Sequence, residues 1–236
     1  HSLTWSGQRL RSLGYSADGS RLLACSAAGV RIWDVSSGQV QATMRAAGGN
    51  LHGAQFAPAG DLLLTHGETV RVWDTAGGDA VATLGGDATP TCAAFSPNGA
   101  RVLVGSRHCA CLWDARTGEE LLRLTGHASG LSAVAFSPDG QRIVTCGLRV
   151  LKVWDAATGR ELLSIEAHRD WISSAAFVDD GTSLLTAGDD GRVKLWLGLD
   201  TTQPVPPAAE LTAQRYRRWM RAGGITGSRP AGDRGP

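Results

Sequence analysis

No stretch of the sequence approaches about 18 consecutive apolar residues, so no segment has the length of a membrane-spanning helix. Charge is scarce: charged residues make up 19%, and 23 Lys plus Arg stand against 22 Asp plus Glu, a formal net +1. That balance excludes a surface given over wholly to nucleic acid, and equally an acidic solvating chain. Between His1 and Arg9 there is no charged stretch followed by an apolar one, so no secretory signal is read. The chain also lacks an initiator Met, as a processed chain or a fragment would. The five cysteines, Cys25, Cys92, Cys109, Cys111 and Cys146, have no regular disulfide spacing. Reduced thiols and a cytoplasmic or otherwise intracellular setting are therefore expected. No glycine loop of the P-loop or dinucleotide-binding type occurs. What is abundant is glycine, 31 residues, together with 42% apolar residues, enough for a sizeable core, and eight tryptophans.

The tryptophans keep time. VRIWD ends at Asp34, VRVWD at Asp74, CLWD at Asp114, LKVWD at Asp155 and VKLW at Trp196, so Trp33, Trp73, Trp113, Trp154 and Trp196 follow one another at steps of 40, 40, 41 and 42. A second mark agrees: YSADG, FAPAG, FSPNG, FSPDG and FVDDG begin at Tyr15, Phe56, Phe95, Phe136 and Phe177. Two marks with one period define a repeat. In the fourth unit, LSAVAF (131–136), QRIVTC (141–146), VLKVWD (150–155) and ELLSI (161–165) read as four strands. Between them lie Ser137-Pro138-Asp139-Gly140 and the turn Asp155 to Gly159, with residues suited to tight turns. Short strands in fours, repeated every ~41 residues, call for a radial all-β architecture. Glycine is high because turns are many.

These marks resemble the WD40-repeat family, over roughly residues 3–197. The resemblance implies a β-propeller of about five four-stranded blades over residues 1–199, with a larger propeller around them as the alternative. It also implies a hydrogen-bonded set in each blade: a His before the first strand, a Ser or Thr on the second, an Asp in the next turn and the Trp. The fifth unit supplies all four, His168, Thr186, Asp190 and Trp196. The fourth keeps His127, Thr145 and Trp154 without the Asp, and in the first three the His position holds Ser6, Ala47 and Gly86.

Five units are few for this family. Leu3-Thr4-Trp5 aligns with Leu124-Thr125-Gly126 at the exit of an outermost strand, while no outer strand is read after Trp196. Either residues 1–5 complete the last blade, or the chain is part of a longer propeller; the second is expected. A monomer is expected unless the edges of a truncated ring associate. Residues 200–236 form a Pro/Arg-rich tail, read as disordered with a possible helix over 208–222.

Most candidate chemical groups fall on repeat positions. Asp34, Asp74, Asp114 and Asp155 are turn residues, since a catalytic carboxylate would not recur in every blade. His108-Cys109-Ala-Cys111 lacks a second ligand pair, and Cys111 stands where Arg31, Arg71, Lys152 and Lys194 stand, so a strand thiol is preferred over zinc. No catalytic residue, metal site or cofactor is expected. Binding through loops remains. The positions before each first strand are Arg9, Asn50, Thr89, Gly130 and Trp171, and Trp171, with Arg169 and Asp170 beside it, is the foremost candidate. His66, Glu68, Arg107, His108, Arg149 and Asp189 are weaker ones, read as exposed turn residues between second and third strands. The resemblance thus implies a non-enzymatic scaffold for proteins or peptides, with larger cytoskeletal, centriolar or ciliary proteins among its possible settings. Nucleic acid is not expected as a partner of the repeats. Two alternatives stand beside this: a cullin-type ubiquitin-ligase substrate receptor acting through Trp113-Asp114-Ala115-Arg116, and nucleic-acid or membrane-surface binding by the tail.

Overall fold

The structure is a computed structural model that describes residues 5, 9–45, 50–85 and 89–197. The possible helix over 208–222, the rest of the tail, residues 1–4, and Ser6, Ala47 and Gly86 lie outside the described residues. Nineteen strands form five antiparallel sheets, and no α-helix occurs among the described residues. Blade I holds β1 (Leu10–Tyr15), β2 (Arg21–Ser26), β3 (Gly29–Asp34) and β4 (Val40–Arg45). Blade II holds β5 (Leu51–Phe56), β6 (Leu62–Gly67), β7 (Val70–Asp74) and β8 (Ala80–Leu84). Blade III holds β9 (Pro90–Phe95), β10 (Arg101–Ser106), β11 (Cys109–Asp114) and β12 (Glu120–Thr125). Blade IV holds β13 (Leu131–Phe136), β14 (Arg142–Gly147), β15 (Val150–Asp155) and β16 (Glu161–Glu166). Blade V has three strands, β17 (Ile172–Val178), β18 (Ser183–Gly188) and β19 (Arg192–Trp196).

Turn chemistry explains the sheets' regularity. After the third strands of blades I to IV the Asp carboxylate caps the turn; in blade IV, Asp155 Oδ1 accepts from the N–H groups of Ala157 and Thr158 at 3.1 and 2.8 Å. Bonds from Thr158 hold the Asp155 carboxyl below its ordinary pKa. Gly159 closes the turn at φ +71°, a conformation that a side chain would resist. Between first and second strands, Ser137 Oγ accepts from Arg142 N at 2.9 Å and Asp139 from Gln141 N at 3.0 Å. The same Ser-centred turn recurs at Ser16 and Ser96.

Strand alternation then sorts the side chains between two faces. On β15, Leu151 and Val153 point to one side and Lys152 and Trp154 to the other, each side meeting a different neighbour. The result is four apolar clusters, one at each junction. Leu23, Val30, Ile32 and Met44 of blade I meet Ala54, Phe56, Leu63 and Trp73 of blade II. Equivalent residues join II to III, III to IV and IV to V. Each large side chain fully buried there contributes roughly 1.5–3 kcal/mol. Among the described residues no such cluster joins blade V to blade I, so the blades form an open arc. Its two ends show: Leu13 and Tyr15 on blade I are 63% and 64% exposed, Val193 and Leu195 on blade V 68% and 50%.

Candidate interaction face

Each first strand runs away from the loop that leads into it, and each second strand runs back. The leading loops and the connections between second and third strands therefore share one face of the arc. Trp171 is the last residue of the loop leading into β17, and its side chain is 41% exposed. Three hydrogen bonds fix the backbone around it. Asp189 N donates to Trp171 O at 2.8 Å, Ile172 N to Leu148 O at 2.7 Å, and Ala167 N to Arg149 O at 2.8 Å. The loop is thus held between the β14–β15 turn of blade IV and the β18–β19 turn of its own blade. Leu148 lies in that first turn at φ +48°, a left-handed conformation that costs a branched side chain energy, and it is exposed. Nothing in the repeat pattern marks it.

Beneath Trp171 lies the polar set of blade V. His168 Nε2 meets Thr186 Oγ1 at 2.8 Å, its Nδ1 meets Asp190 Oδ1 at 3.0 Å, and Trp196 Nε1 donates to Thr186 Oγ1 at 3.0 Å. Asp190 Oδ2 accepts from Arg169 N at 3.0 Å, tying the loop to the set. These bonds, the one from Arg169 N foremost, draw the Asp190 carboxyl down to about 2. Gly188 makes room: a Cβ there would lie 2.5 Å from His168 Nδ1. In blade IV, His127 Nε2 and Trp154 Nε1 share Thr145 Oγ1 at 2.7 and 2.8 Å. Burial, and then the charge of Lys152, push the His127 pKa down to about 4, so this ring is neutral at pH 7.

The set thins out along the arc. Blade II keeps Trp73 Nε1 on Thr65 Oγ1 at 2.8 Å. In blade III, Val104 replaces the hydroxyl residue, and buried Trp113 Nε1 has no partner among the described residues. In blade I, Trp5 packs edge-on against Trp33 at 6.2 Å, near the 6.5 Å at which His127 stands from Trp154. The Arg31 guanidinium lies 4.9 Å from the Trp5 ring. Sequence alignment put Trp5 at the end of an outer strand; its contact with Trp33 was not visible there.

The remaining candidates separate. Arg9, Asn50, Arg169 and Asp170 are exposed on the loop face, as are Glu68, Arg107, His108, Arg149 and Asp189 in the connections between second and third strands. Asn50 N reaches Glu68 Oε1 at 3.4 Å. His66 is a correction: it lies within β6 rather than in an exposed turn, and its Nδ1 is buried without a partner among the described residues. Gly53 opposite allows this, since a Cβ there would meet His66 Nε2 at 2.6 Å. Burial lowers the His66 pKa, and His52 adds to the effect. Arg116 sits at the opposite end of the strands from Trp171, in the turn after β11, where its Nη2 meets Asp61 Oδ2 of blade II at 2.6 Å. Cys109 and Cys111 are both buried in β11 with their sulfurs 3.9 Å apart, and all five cysteines are free.

Against known families, the sequence model described as "WD domain, G-beta repeat" matches three consecutive repeats, residues 78–114, 118–155 and 159–196. These end on the tryptophan-bearing third strands of blades III, IV and V. The chain belongs to the WD40-repeat family. A comparison with curated proteins returned no match. The WD40 repeats of the family serve in general as scaffolds for protein–protein contacts, and no helix among the described residues is long and apolar enough to cross a membrane. In this WD40 chain the richest part of the loop face is the junction of blades IV and V, where Trp171, Leu148 and the polar set converge.

Proposed function

We propose that this chain is a non-enzymatic scaffold that binds a protein or peptide partner on the loop face, with Trp171 as the anchor. One observation carries the reading: a large aromatic side chain stands 41% exposed on a loop whose backbone is fixed on both sides. Such a residue loses little conformational entropy on binding, the property of an interface anchor. Leu148 adds apolar area, and Arg169 and Asp170 supply a polar rim. Rigid presentation is the mechanism: junction packing fixes the turns, and the turns display the side chains. The five free thiols suit an intracellular setting, and a place within a larger cytoskeletal, centriolar or ciliary assembly is consistent with a scaffold role.

Affinity capture with the wild-type chain and with Trp171→Ala, followed by mass spectrometry, tests this. Partners of the wild type should be lost at least ~30-fold from the variant, the weakening that removal of an anchor brings. An unchanged partner set on a folded variant would remove Trp171 from the site. The ubiquitin-ligase reading has its own discriminator. Arg116 belongs to the other face and is paired with Asp61, so capture of a cullin adaptor that disappears in Arg116→Ala would favour that reading instead.

A further inference from the structure

Blade III departs from its neighbours at one point of its third strand. In the other four blades a cation stands two residues before the third-strand Trp. Arg31, Arg71, Lys152 and Lys194 lie 5.7 to 5.9 Å from the ring centres of Trp33, Trp73, Trp154 and Trp196. In blade III that position is Cys111, and Cys109 stands two residues before it on the same face of β11. Their sulfurs are 3.9 Å apart. The displaced charge has moved to the neighbouring strand. Arg123 of β12, opposite Cys111, stands where the other fourth strands carry Thr43, Thr83 and Ser164. Glu120 holds its guanidinium at 2.7 and 2.9 Å, the pairing that Lys152 makes with Glu161 at 2.8 Å in blade IV. Arg123 Nη1 then lies 3.7 Å from Cys109 Sγ. The exchange leaves two thiols side by side with a positive group against one of them, an arrangement found in no other third strand.

The distances decide what can join the two sulfurs. Residues two apart on a strand have Cα atoms about 6.6 Å apart, close to the upper limit of disulfide geometry, so a direct S–S bond is disfavoured. An inserted ion reaches further. Two metal–sulfur bonds of about 2.3 Å span roughly 3.8 Å at a tetrahedral angle and roughly 4.6 Å in a line, a range that takes in the observed separation. Zinc requires four ligands, and among the described residues no group of three or more His, Cys, Asp or Glu is placed to hold a metal. His108 is exposed in the turn before β11. Two thiolates alone suit a soft monovalent ion, Cu(I). Charge agrees, since two thiolates and one Cu(I) leave a single net negative charge, which the Arg123 guanidinium offsets.

We propose that Cys109 and Cys111 are a two-sulfur site for Cu(I), with Arg123 as its counter-charge. Binding breaks two S–H bonds, releases both protons to solvent and forms two Cu–S bonds, and the copper stays monovalent. Without the ion Cys111 is a thiol, because burial foremost pushes its pKa up to about 12. The two residues are buried but not sealed, at 9% and 8% exposure, so an ion has a way in. The site is independent of the scaffold reading, which concerns Trp171 and its surroundings.

The full chain, reduced and kept free of oxygen, can be titrated against the coloured Cu(I) complex of bicinchoninate, whose absorbance falls as the protein takes the metal. One Cu(I) per chain should be withdrawn, and X-ray absorption of the loaded protein should show copper bound by two sulfurs. Cys109→Ser and Cys111→Ser should each abolish the uptake, whereas Cys92→Ala and Cys146→Ala should leave it intact. Arg123→Gln should weaken binding ~10-fold and Arg123→Lys should restore it. Zn(II) at the same concentration should not be retained. No uptake by the wild-type chain, unchanged uptake in both serine variants, or equal retention of Zn(II) overturns the site. Oxygen or nitrogen ligands on copper in the loaded wild type overturn it without recourse to any variant. Unaltered affinity in Arg123→Gln removes the counter-charge.

Discussion

At the scale of single residues, Thr186 has the most to lose. It accepts from Trp196 Nε1 and meets His168 Nε2 while fully buried, so Thr186→Val takes the shared partner from a buried imidazole and a half-buried indole at once. A cost of about 2–4 kcal/mol is expected, as a shift in the urea midpoint. The reverse exchange in blade III should behave differently. Val104→Thr gives Trp113 Nε1 the acceptor that Thr65 gives Trp73, so it should be tolerated within about 1 kcal/mol, whereas Thr65→Val should not. His127 links stability to pH. Its folded pKa of about 4 lies below the ordinary 6.5, so below pH 6.5 the unfolded chain takes up a proton that the folded chain refuses. Its stabilising share is complete above about pH 6.5 and declines as pH falls toward 4. With solvent screening, a loss on the order of 1 kcal/mol at pH 5 is expected, and His127→Gln should flatten the profile in urea titrations at pH 7 and 5. Of these residues, His168, Thr186, Asp190 and Trp196 were visible as a spaced set. Leu148 was not, because its left-handed backbone is fixed by the tightness of the β14–β15 turn rather than by any residue type a reader would single out.

At the scale of elements, the same alignment position has opposite consequences in different blades. Leu151 of β15 is packed between blades IV and V, while its equivalent on β19, Val193, is 68% exposed. Leu151→Lys should unfold the protein or cost more than about 3 kcal/mol, because it buries an unpaired charge. Val193→Lys should shift thermal stability by less than about 0.5 kcal/mol, and circular dichroism melts of the pair provide the comparison. The strands themselves were legible to within a residue: the expected 131–136 and 150–155 are β13 and β15, and 141–146 became β14 at Arg142–Gly147. That accuracy comes from turns whose chemistry is written in sequence, Ser-Pro-Asp-Gly and Asp to Gly. His66 was misread because its concealment depends on Gly53 of a different strand, and a cross-strand vacancy leaves no local signature.

At the scale of the whole molecule, each apolar cluster among the described residues joins two neighbouring blades, which makes the arc a one-dimensional stack. Its stability is then a sum over blades and junctions, and unfolding can begin at an end. Hydrogen exchange should show a gradient, with β10 and β14 slowest and β1 and β19 at least tenfold faster; uniform protection throughout would contradict the stack. The period told the number of blades, but not whether they close, since closure depends on the rotation accumulated across junctions rather than on any one repeat. The stack also has a direction. Each blade covers its predecessor with one face and leaves the other uncovered until the next arrives. During synthesis from the N-terminus, a growing chain of this design therefore carries, besides the open outer side of blade I, one unfinished apolar face that passes each time to the newest blade. Chaperone dependence should follow the pace at which successive blades emerge from the ribosome rather than the total length of the chain.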